Sequence, residues 1–214
     1  MVPDESSIQY DAKEGGQFTK HPTARIHVLP SFGKASNRGD LRSQEGTTAE
    51  STIYSGVIIR PFAMVYAEAI VHSDTFIGDQ AIVRELTSVG KNCIIGAGSI
   101  IENNCFIGDR VRIMTRVYIC AFSIIGDDCF IGPGVLTTND RYLGSGDPER
   151  RRRERRGPTL EPGVRLGAGV VTLPGVTIAS GVVIGAGGIV TKSIMTPGVY
   201  VEYGARLDRL RDEV

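Results

Sequence analysis

Histidine, cysteine and any excess of charge are scarce in this sequence. There are three histidines and four cysteines among 214 residues, and 24 basic residues balance 24 acidic ones. The cysteines form no CxxC pair and no short secreted framework, so we expect reduced thiols and a cytoplasmic protein. The charge balance argues against a general polyanion-binding protein, although local charged patches are compatible with it.

Long hydrophobic runs are also missing. No stretch approaches the roughly 18 uncharged apolar residues that a membrane-spanning helix needs. Residues 1–20 are polar and acidic, so no secretory signal is expected. Glycine, in contrast, is abundant: the 27 glycines are about 13 % of the chain, against a usual level of about 7 %. They follow no Gly-x-y period, which excludes collagen and indicates a different repeat.

A six-residue repeat fills the centre of the chain. Stepping by six from Ile53 meets a β-branched residue fourteen times in succession, up to Ile131, and the phase returns at Leu160. A period of six fits neither an α-helix nor simple strand alternation. It suits a short strand followed by a turn, with three such units closing a triangular coil. The third residue after each repeat start is often Gly, Asn or Asp, which tolerate the positive φ expected at a corner.

This pattern, [LIV]-[GAED]-x-x-[STAV]-x, resembles the hexapeptide signature of left-handed parallel β-helix acyltransferases. The resemblance covers residues 53–196. It implies an all-β, left-handed parallel β-helix of about six to seven coils, assembled as a homotrimer with active sites between subunits. The chain then divides into an N-terminal extension or cap (1–52), the β-helix domain (53–198) with an inserted loop (138–159), and a C-terminal strand and short helix (199–214).

The inserted loop is the most specific clue to function. The run 136–142 and the excursion after it are similar to nucleotide-sugar N-acetyltransferases, which acetylate the amino group of UDP- or dTDP-linked amino sugars. The resemblance implies acetyl-CoA as donor, no metal, and a loop beside the acceptor. It assigns Asn139 to catalysis and Asp140, Arg141 and Tyr142 to substrate binding. A neutral amine is itself nucleophilic, so the enzyme chiefly orients it and stabilises the oxyanion.

A second stretch, Gly78–Glu85, looks like the G-H-x-x-x-x-R-E sequence of relatives that act on amino sugars. Arg84 and Glu85 match this sequence and are assigned to substrate binding. Asp79 stands where those relatives have histidine, so it is either the catalytic proton acceptor or a turn residue. His72, the one histidine within the repeat, is either a base or a surface residue.

The last hexads resemble the "GAGSVVTK" close of these enzymes, where backbone amides and a lysine meet coenzyme A. The chain ends the repeat with Gly185–Lys192 and continues to Gly204-Ala205-Arg206, which matches only part of the usual "GNPAR" ending. The resemblance assigns cofactor binding to Gly167, Ala168, Gly185, Ala186, Lys192 and Arg206.

Several alternatives stay open at this point. The arginine run 150–156 suits a solvated loop, contacts with phosphate groups, or nucleic acid. Carbonic anhydrases with similar hexads need three histidines around zinc, which this repeat lacks. Acetylation of a hydroxyl, another acyl donor and a non-catalytic β-helix scaffold are further alternatives. An alcohol needs stronger base assistance than an amine. The cysteines at inward repeat positions are expected to be small core residues.

Overall fold

Short parallel strands wind around a triangular coil. The structure is a computed structural model that describes residues 8–11, 17–20, 23–26, 29–30, 48–49, 51–203 and 206–210. The N-terminal strands are β1 (Ile8–Asp11), β2 (Gln17–Lys20), β3 (Arg25–Ile26), β4 (Leu29–Pro30) and β5 (Thr48–Ala49). The next strands are β6 (Thr52–Ile53), β7 (Ile58–Ile59), β8 (Met64–Val65), β9 (Ile70–Val71), β10 (Phe76–Ile77), β11 (Ile82–Val83), β12 (Ser88–Val89), β13 (Ile94–Ile95), β14 (Ile100–Ile101), β15 (Phe106–Ile107), β16 (Arg112–Ile113), β17 (Tyr118–Ile119), β18 (Ile124–Ile125), β19 (Phe130–Ile131) and β20 (Leu136–Thr137). After helix α1 (Pro148–Glu154) come β21 (Thr159–Leu160), β22 (Arg165–Leu166), β23 (Val171–Thr172), β24 (Thr177–Ile178), β25 (Val182–Ile184), β26 (Ile189–Val190), β27 (Gly198–Tyr203) and β28 (Arg206–Leu210).

Three sheets form the three faces of the prism. The first face has the order β1-β2-β7-β10-β13-β16-β19-β22-β25-β27-β28, the second face β26-β23-β20-β17-β14-β11-β8-β3, and the third face β24-β21-β18-β15-β12-β9-β6. Strands of one face pair in parallel at eighteen-residue steps, as Phe76 does with Ile94. In one coil, residues 78–81 form the first corner, between the first and second faces. Residues 84–87 form the second corner, and residues 90–93 form the third.

The core is a stack of branched aliphatic side chains, as the repeat predicts. The second residue of each short strand points inward and is buried, with Ile95 and Ile113 both 0 % exposed. The inward position four residues later holds a small residue, and where that residue is a hydroxyl it is satisfied by backbone. Thr75 Oγ1 donates to the carbonyl oxygen of Gly90 at 2.7 Å and accepts from the N–H of Cys93 at 3.0 Å. Such pairing removes the penalty of a buried hydroxyl.

The corners have the positive φ that the repeat predicts. Asp74, Asn92 and Gly98 have φ of 59°, 55° and 65°, and all of the Gly, Asn and Asp residues expected there lie in this region. The structure adds residues with no such preference, including Phe62 and Leu86 at 58° and 57°. A left-handed conformation costs a side-chain-bearing residue roughly 1–2 kcal/mol. The stacked ladders on either side therefore impose the corner conformation on whatever residue is present.

The two ends of the coil differ from the sequence prediction. The prism has about eight coils rather than six to seven, because β2 and β3, which lie before the strict repeat, pair in parallel with β7 and β8. The prediction of a short C-terminal helix after Tyr203 was wrong, because Arg206–Leu210 is strand β28, antiparallel to β27. The spacing of Leu207 and Leu210 suggests a helix, but the outer edge of β27 offers a full row of backbone partners, and pairing with it prevails.

The described part of the chain lacks two kinds of feature. None of its helices has the length and apolarity to cross a membrane. Within the same residues, no three His, Cys, Asp or Glu side chains are arranged to hold a metal ion.

Candidate active site

The second corner carries the inserted segment. β20 ends at Thr137 and β21 begins at Thr159, so residues 138–158 leave the prism between its second and third faces. Because β11, β14, β17 and β20 are successive neighbours, side chains of this corner stack in two columns. The first column is Arg84, Glu102, Cys120 and Thr138. The second is Glu85, Asn103, Ala121 and Asn139, and it continues two coils beyond the segment to Lys192.

Arg84 is the centre of a salt-bridge cluster at this corner. Its Nε and Nη2 donate to the two carboxylate oxygens of Glu85 at 2.8 and 2.9 Å, and its Nη1 donates to Glu102 at 3.4 Å. The guanidinium carbon lies 5.1 Å from the centroid of the Tyr66 ring. The hydrogen bond to Glu85 raises the pKa of Arg84. Burial alone would raise the pKa of Glu85, but the hydrogen bond and charge of Arg84, together with a backbone hydrogen bond, outweigh burial and lower that pKa.

This cluster adds residues that the motif comparison missed. Glu102 and Tyr66 lie one coil on either side of Arg84, and the signal for them was their eighteen-residue spacing. Tyr118 is also near the cluster. Burial raises the pKa of its hydroxyl, and the negative charge of Glu102 raises it further. Each donor group of Arg84 already faces a carboxylate, so the arginine serves as a fixed ion-pair centre, and a substrate would have to displace a carboxylate to reach it.

Asn139 fixes the root of the inserted segment. Its Nδ2 donates to the carbonyl oxygen of Ala121 at 3.1 Å. Its own backbone carbonyl accepts from the N–H of Arg156 at 3.2 Å, so the outgoing and returning chains meet here. Within the described residues, the Oδ1 and the second amide hydrogen of Asn139 have no partner. The side chain is therefore held in place with a donor and an acceptor free for a ligand.

The segment is folded by its own polar contacts. Asp140 accepts from the N–H groups of Tyr142 at 2.9 Å and Gly144 at 3.2 Å. The Tyr142 hydroxyl donates to Glu154, and Arg150 donates to the same carboxylate at 2.9 Å. These bonds tie the outgoing chain to α1. Of the substrate-binding residues predicted here, Asp140 and Tyr142 thus serve the loop's own structure, whereas Arg141 is exposed.

Asp79 and His72 lie on other corners. Asp79 is at the first corner, about half exposed, with Oδ2 3.7 Å from Nε of Arg60. His72 is at the third corner and stacks on Tyr54 with ring centroids 4.7 Å apart. The structure of one chain therefore does not bring either of them to Asn139, and Asp79 also lies three coils away from it along the axis.

The glycines assigned to cofactor binding have a packing role at the first corner. A Cβ on Gly167 would lie 2.5 Å from the backbone nitrogen of Ala186, in the next coil. One on Gly185 would lie 3.0 Å from Cγ1 of Val201. Glycine is needed at Gly167 because stacked coils approach too closely there for a side chain. Ala168 and Ala186 follow these glycines in the same column as Asp79, four and five coils beyond it.

The second corner brings together part of the predicted site. Asn139 lies three coils from Glu85 and two coils from Lys192, which is roughly 14 and 10 Å at about 4.8 Å per coil. Lys192 is exposed. Arg206 lies in β28, and its side chain falls outside the described residues. Counting hexads in threes along the sequence would already have separated Asp79 from the corner of Arg84 and Asn139.

The cysteines carry no reactive thiol. All four are buried, and burial raises the pKa of Cys105 to about 12 and the pKa of Cys93 and Cys129 to about 11. Cys120 is also buried, and burial raises its pKa as well. A protonated, enclosed thiol is a poor nucleophile. The four cysteines are therefore poor candidates for a covalent intermediate.

Family comparisons identify the repeat. The model described as "Bacterial transferase hexapeptide (six repeats)" matches residues 104–139. The model described as "Hexapeptide repeat of succinyl-transferase" matches residues 69–101 and 159–192. No curated protein gave a significant sequence match.

Several solved structures are similar to this chain at low identity. The acetyltransferase domain of PglB from Neisseria gonorrhoeae is 16 % identical over 77 % of this chain and 60 % of its own, with a TM-score of 0.39. PerB from Caulobacter crescentus, in complex with CoA and GDP-perosamine, is 18 % identical over 68 % and 56 %, with a TM-score of 0.32. The UDP-N-acetylglucosamine acyltransferase from Campylobacter jejuni is 16 % identical over 71 % and 73 %, with a TM-score of 0.47. The chain thus spans less than two thirds of the first two proteins, and at these scores the similarities do not indicate its substrate.

Proposed function

The chain is a hexapeptide-repeat protein, and from that premise we propose that it is an acetyl-CoA-dependent N-acetyltransferase acting on a nucleotide-linked amino sugar. The observation that carries the proposal is the second corner. There the inserted segment, with the free polar atoms of Asn139, shares one column with exposed Lys192. An acceptor held at the segment and a coenzyme A phosphate held at Lys192 would lie along the same edge of the prism.

Amine chemistry suits this corner. The acceptor nitrogen attacks the thioester carbon, the C–S bond breaks, coenzyme A leaves as its thiolate, and the proton lost by the nitrogen passes through solvent to that thiolate. Asn139 is held by Ala121, so its free N–H can donate to the developing oxyanion or its Oδ1 can accept from the amine. One preorganised donor of this kind is worth about 10²–10³ in kcat. No general base is required, since the attacking amine is neutral.

Release of thiol from acetyl-CoA tests this activity. With a panel of UDP- and dTDP-amino sugars, we expect turnover with one amino sugar and none with its hydroxyl counterpart. Asn139→Ala should lower kcat at least tenfold, whereas Asp79→Asn, three coils away along the axis, should stay within about threefold. Turnover only with hydroxyl acceptors would make the protein an O-acetyltransferase. No turnover and no coenzyme A binding by calorimetry would leave a non-catalytic scaffold.

The distribution of outward side chains supports a homotrimer. From β8 to β26 the outward residues of the second face are all aliphatic or aromatic, whereas the other two faces include Arg, Ser or Thr; only β3, at the end of the second face, has Arg25 in register with Met64. The outward residues of the second face are Met64, Ile82, Ile100, Tyr118, Leu136, Val171 and Ile189. A face of this kind favours burial against other copies. With three second faces turned inward, the first corner of one subunit would adjoin the second corner of the next.

This arrangement puts both groups of sequence-assigned residues beside one interface. The first corner holds Gly167, Ala168, Gly185 and Ala186, and the second corner holds Lys192 at the level of Ala186. We expect light scattering of the purified protein to give three times the mass of one chain. Tyr118→Arg on the second face should yield monomers with little change in the circular dichroism spectrum, and Arg112→Glu on the first face is the control. A monomeric wild-type protein would contradict the assembly.

A further inference from the structure

The inserted segment has a surplus of positive charge that the prism does not neutralise. Residues 138–158 contain seven arginines and four acidic residues. Among the described residues, every hydrogen bond or ion pair made by these arginine side chains has its partner inside the segment. Arg150 bonds to Glu154, Arg151 lies near Asp140, and Arg156 donates to two backbone carbonyls. The surplus is therefore available to a ligand.

Two of these arginines differ from the exposed ones. Arg151, within α1, and Arg155, at the end of α1, are both half-buried, and both place positive charge near Asp140. The Nε atom of each is buried, and neither Nε has a hydrogen-bond partner in the described structure. A buried guanidinium N–H without an acceptor is unfavourable. Such an arrangement is explained if an acceptor oxygen arrives with a ligand.

Asp140 lies beside these two arginines but does not satisfy their Nε groups. Its Oδ2 is 3.9 Å from Nη1 of Arg151, with both side chains mostly covered. Hydrogen bonds from the N–H groups of Tyr142 and Gly144 hold the pKa of Asp140 below its usual value, and the nearby charges of Arg151 and Arg155 act in the same direction. One ionised carboxylate thus faces two guanidinium groups, and one positive charge is left unbalanced.

The position of the pair relates it to the acceptor side of the candidate site. Asp140 directly follows Asn139, and Arg156, next to Arg155, donates its backbone N–H to the carbonyl of Asn139. The two arginines therefore lie at the root of the segment, where it joins the second corner. Arginine forks match the oxygens of a phosphate group in geometry and charge.

We propose that Arg151 and Arg155 form a binding site for the phosphate groups of a nucleotide ligand. That the ligand is the nucleotide part of the acceptor rests on the proposed function; coenzyme A offers the same phosphate chemistry. Nucleic acid is less favoured, because the chain as a whole has 24 basic and 24 acidic residues and the surplus is confined to one short segment.

Calorimetric titration with inorganic pyrophosphate, UDP, dTDP, coenzyme A and dephospho-coenzyme A tests the site without turnover. We expect Arg155→Gln and Arg151→Gln to lower the affinity for at least one of these ligands tenfold or more. Arg153→Gln is the matched control: it removes the same charge from the same helix, but Arg153 is exposed and has no partner for its side chain within the described residues. It should change affinity less than threefold. Arg155→Lys keeps the positive charge but loses the two parallel N–H donors of the guanidinium. Its affinity should lie between those of the unmodified protein and Arg155→Gln.

The ligand series identifies the source of the phosphate. Loss of UDP or dTDP affinity assigns the site to the acceptor, and loss confined to coenzyme A assigns it to the donor. Equal weakening by all three glutamine variants would overturn the site in favour of a diffuse basic patch. Binding of a single-stranded oligonucleotide in place of all five ligands would overturn it too, as would unchanged binding in every variant. Thermal melting of each variant shows whether the segment stays folded. If Arg155→Gln has a lowered melting temperature, the ligand affinities of Arg155→Lys and Arg153→Gln are compared instead, and the site is supported only if Arg155→Lys binds more weakly.

Failure of this site and failure of the proposed function are separable. Phosphate binding that depends on Arg155, in a protein that acetylates no amino sugar, would keep the site and reject the reaction. Acetylation of an amino sugar with unaltered nucleotide binding and unaltered KM in Arg155→Gln would keep the reaction and reject the site.

Discussion

Excising residues 140–156 is expected to leave a folded prism that lacks the proposed acetyl-transfer activity. The backbones of Asn139 and Arg156 meet at 3.2 Å, so the cut ends lie close together. After the excision, Thr138, Asn139, Gly157, Pro158, Thr159 and Leu160 form one regular hexad, with glycine at the corner position. Pro158 already accepts from the N–H of Ile124 at 3.0 Å, as Ser123 does from Phe106 one coil earlier. The strand ladder is therefore kept.

Thiol release should fall at least 100-fold, because an acceptor that is not held in line with the thioester loses most of the advantage of orientation. Circular dichroism and a cooperative melting transition should match those of the full chain. As a control, residues 140–156 are replaced by a Gly-Ser segment of equal length, which should be equally inactive. Full activity in either protein would mean that the inserted segment takes no part in transfer.

Replacing Ile95 by alanine should lower the free energy of unfolding by about 2–5 kcal/mol. Ile95 is fully buried between Ile77 and Ile113 of the neighbouring coils. Removing its branched chain leaves a cavity that the stacked strands on either side cannot close, and cavities add to the lost transfer free energy. Denaturant unfolding followed by circular dichroism measures the change.

The adjacent residue is a matched control. Ile94 has the same side chain in the same strand but points outward and is 37 % exposed. Ile94→Ala should cost less than about 1 kcal/mol, since little apolar area is returned to water. Similar losses for the two variants would contradict the alternation of inward and outward residues on which the prism depends.

The fold was predictable because each hexad repeats the same local choice. The inward residues from Ile53 to Ile131 recur every six positions without interruption. Asp74, Asn92 and Gly98 indicate corners because these residue types tolerate positive φ. Phe62 and Leu86 give no such signal, since only their place in the repeat, and not their chemistry, sets their backbone. The end of the chain was mispredicted for the converse reason. At Arg206–Leu210 no repeat remains, local spacing favours a helix, and the backbone partner on β27 is visible only in three dimensions.

The sequence nominates candidate site residues but does not predict how they are arranged. Asn139, Arg84 and Lys192 do share the second corner, whereas Asp79 lies on the first. The motif that groups Asp79 with Arg84 runs along one strand of the second face from the first corner to the second, so residues close in sequence project from different edges. The pairing of Arg84 with Glu102 is equally hidden from a local motif, because its partner is one full coil away.

The hairpins on the first face bear on how the prism ends. β1 lies antiparallel on β2 at one end of that face, and β28 lies antiparallel on β27 at the other. A second prism stacked end to end would have to continue the ladder in parallel, and here it would meet a strand running the opposite way. Coiled repeats with unprotected ends tend to grow into filaments. These two reversals of chain direction therefore oppose end-to-end continuation of the ladder on the first face.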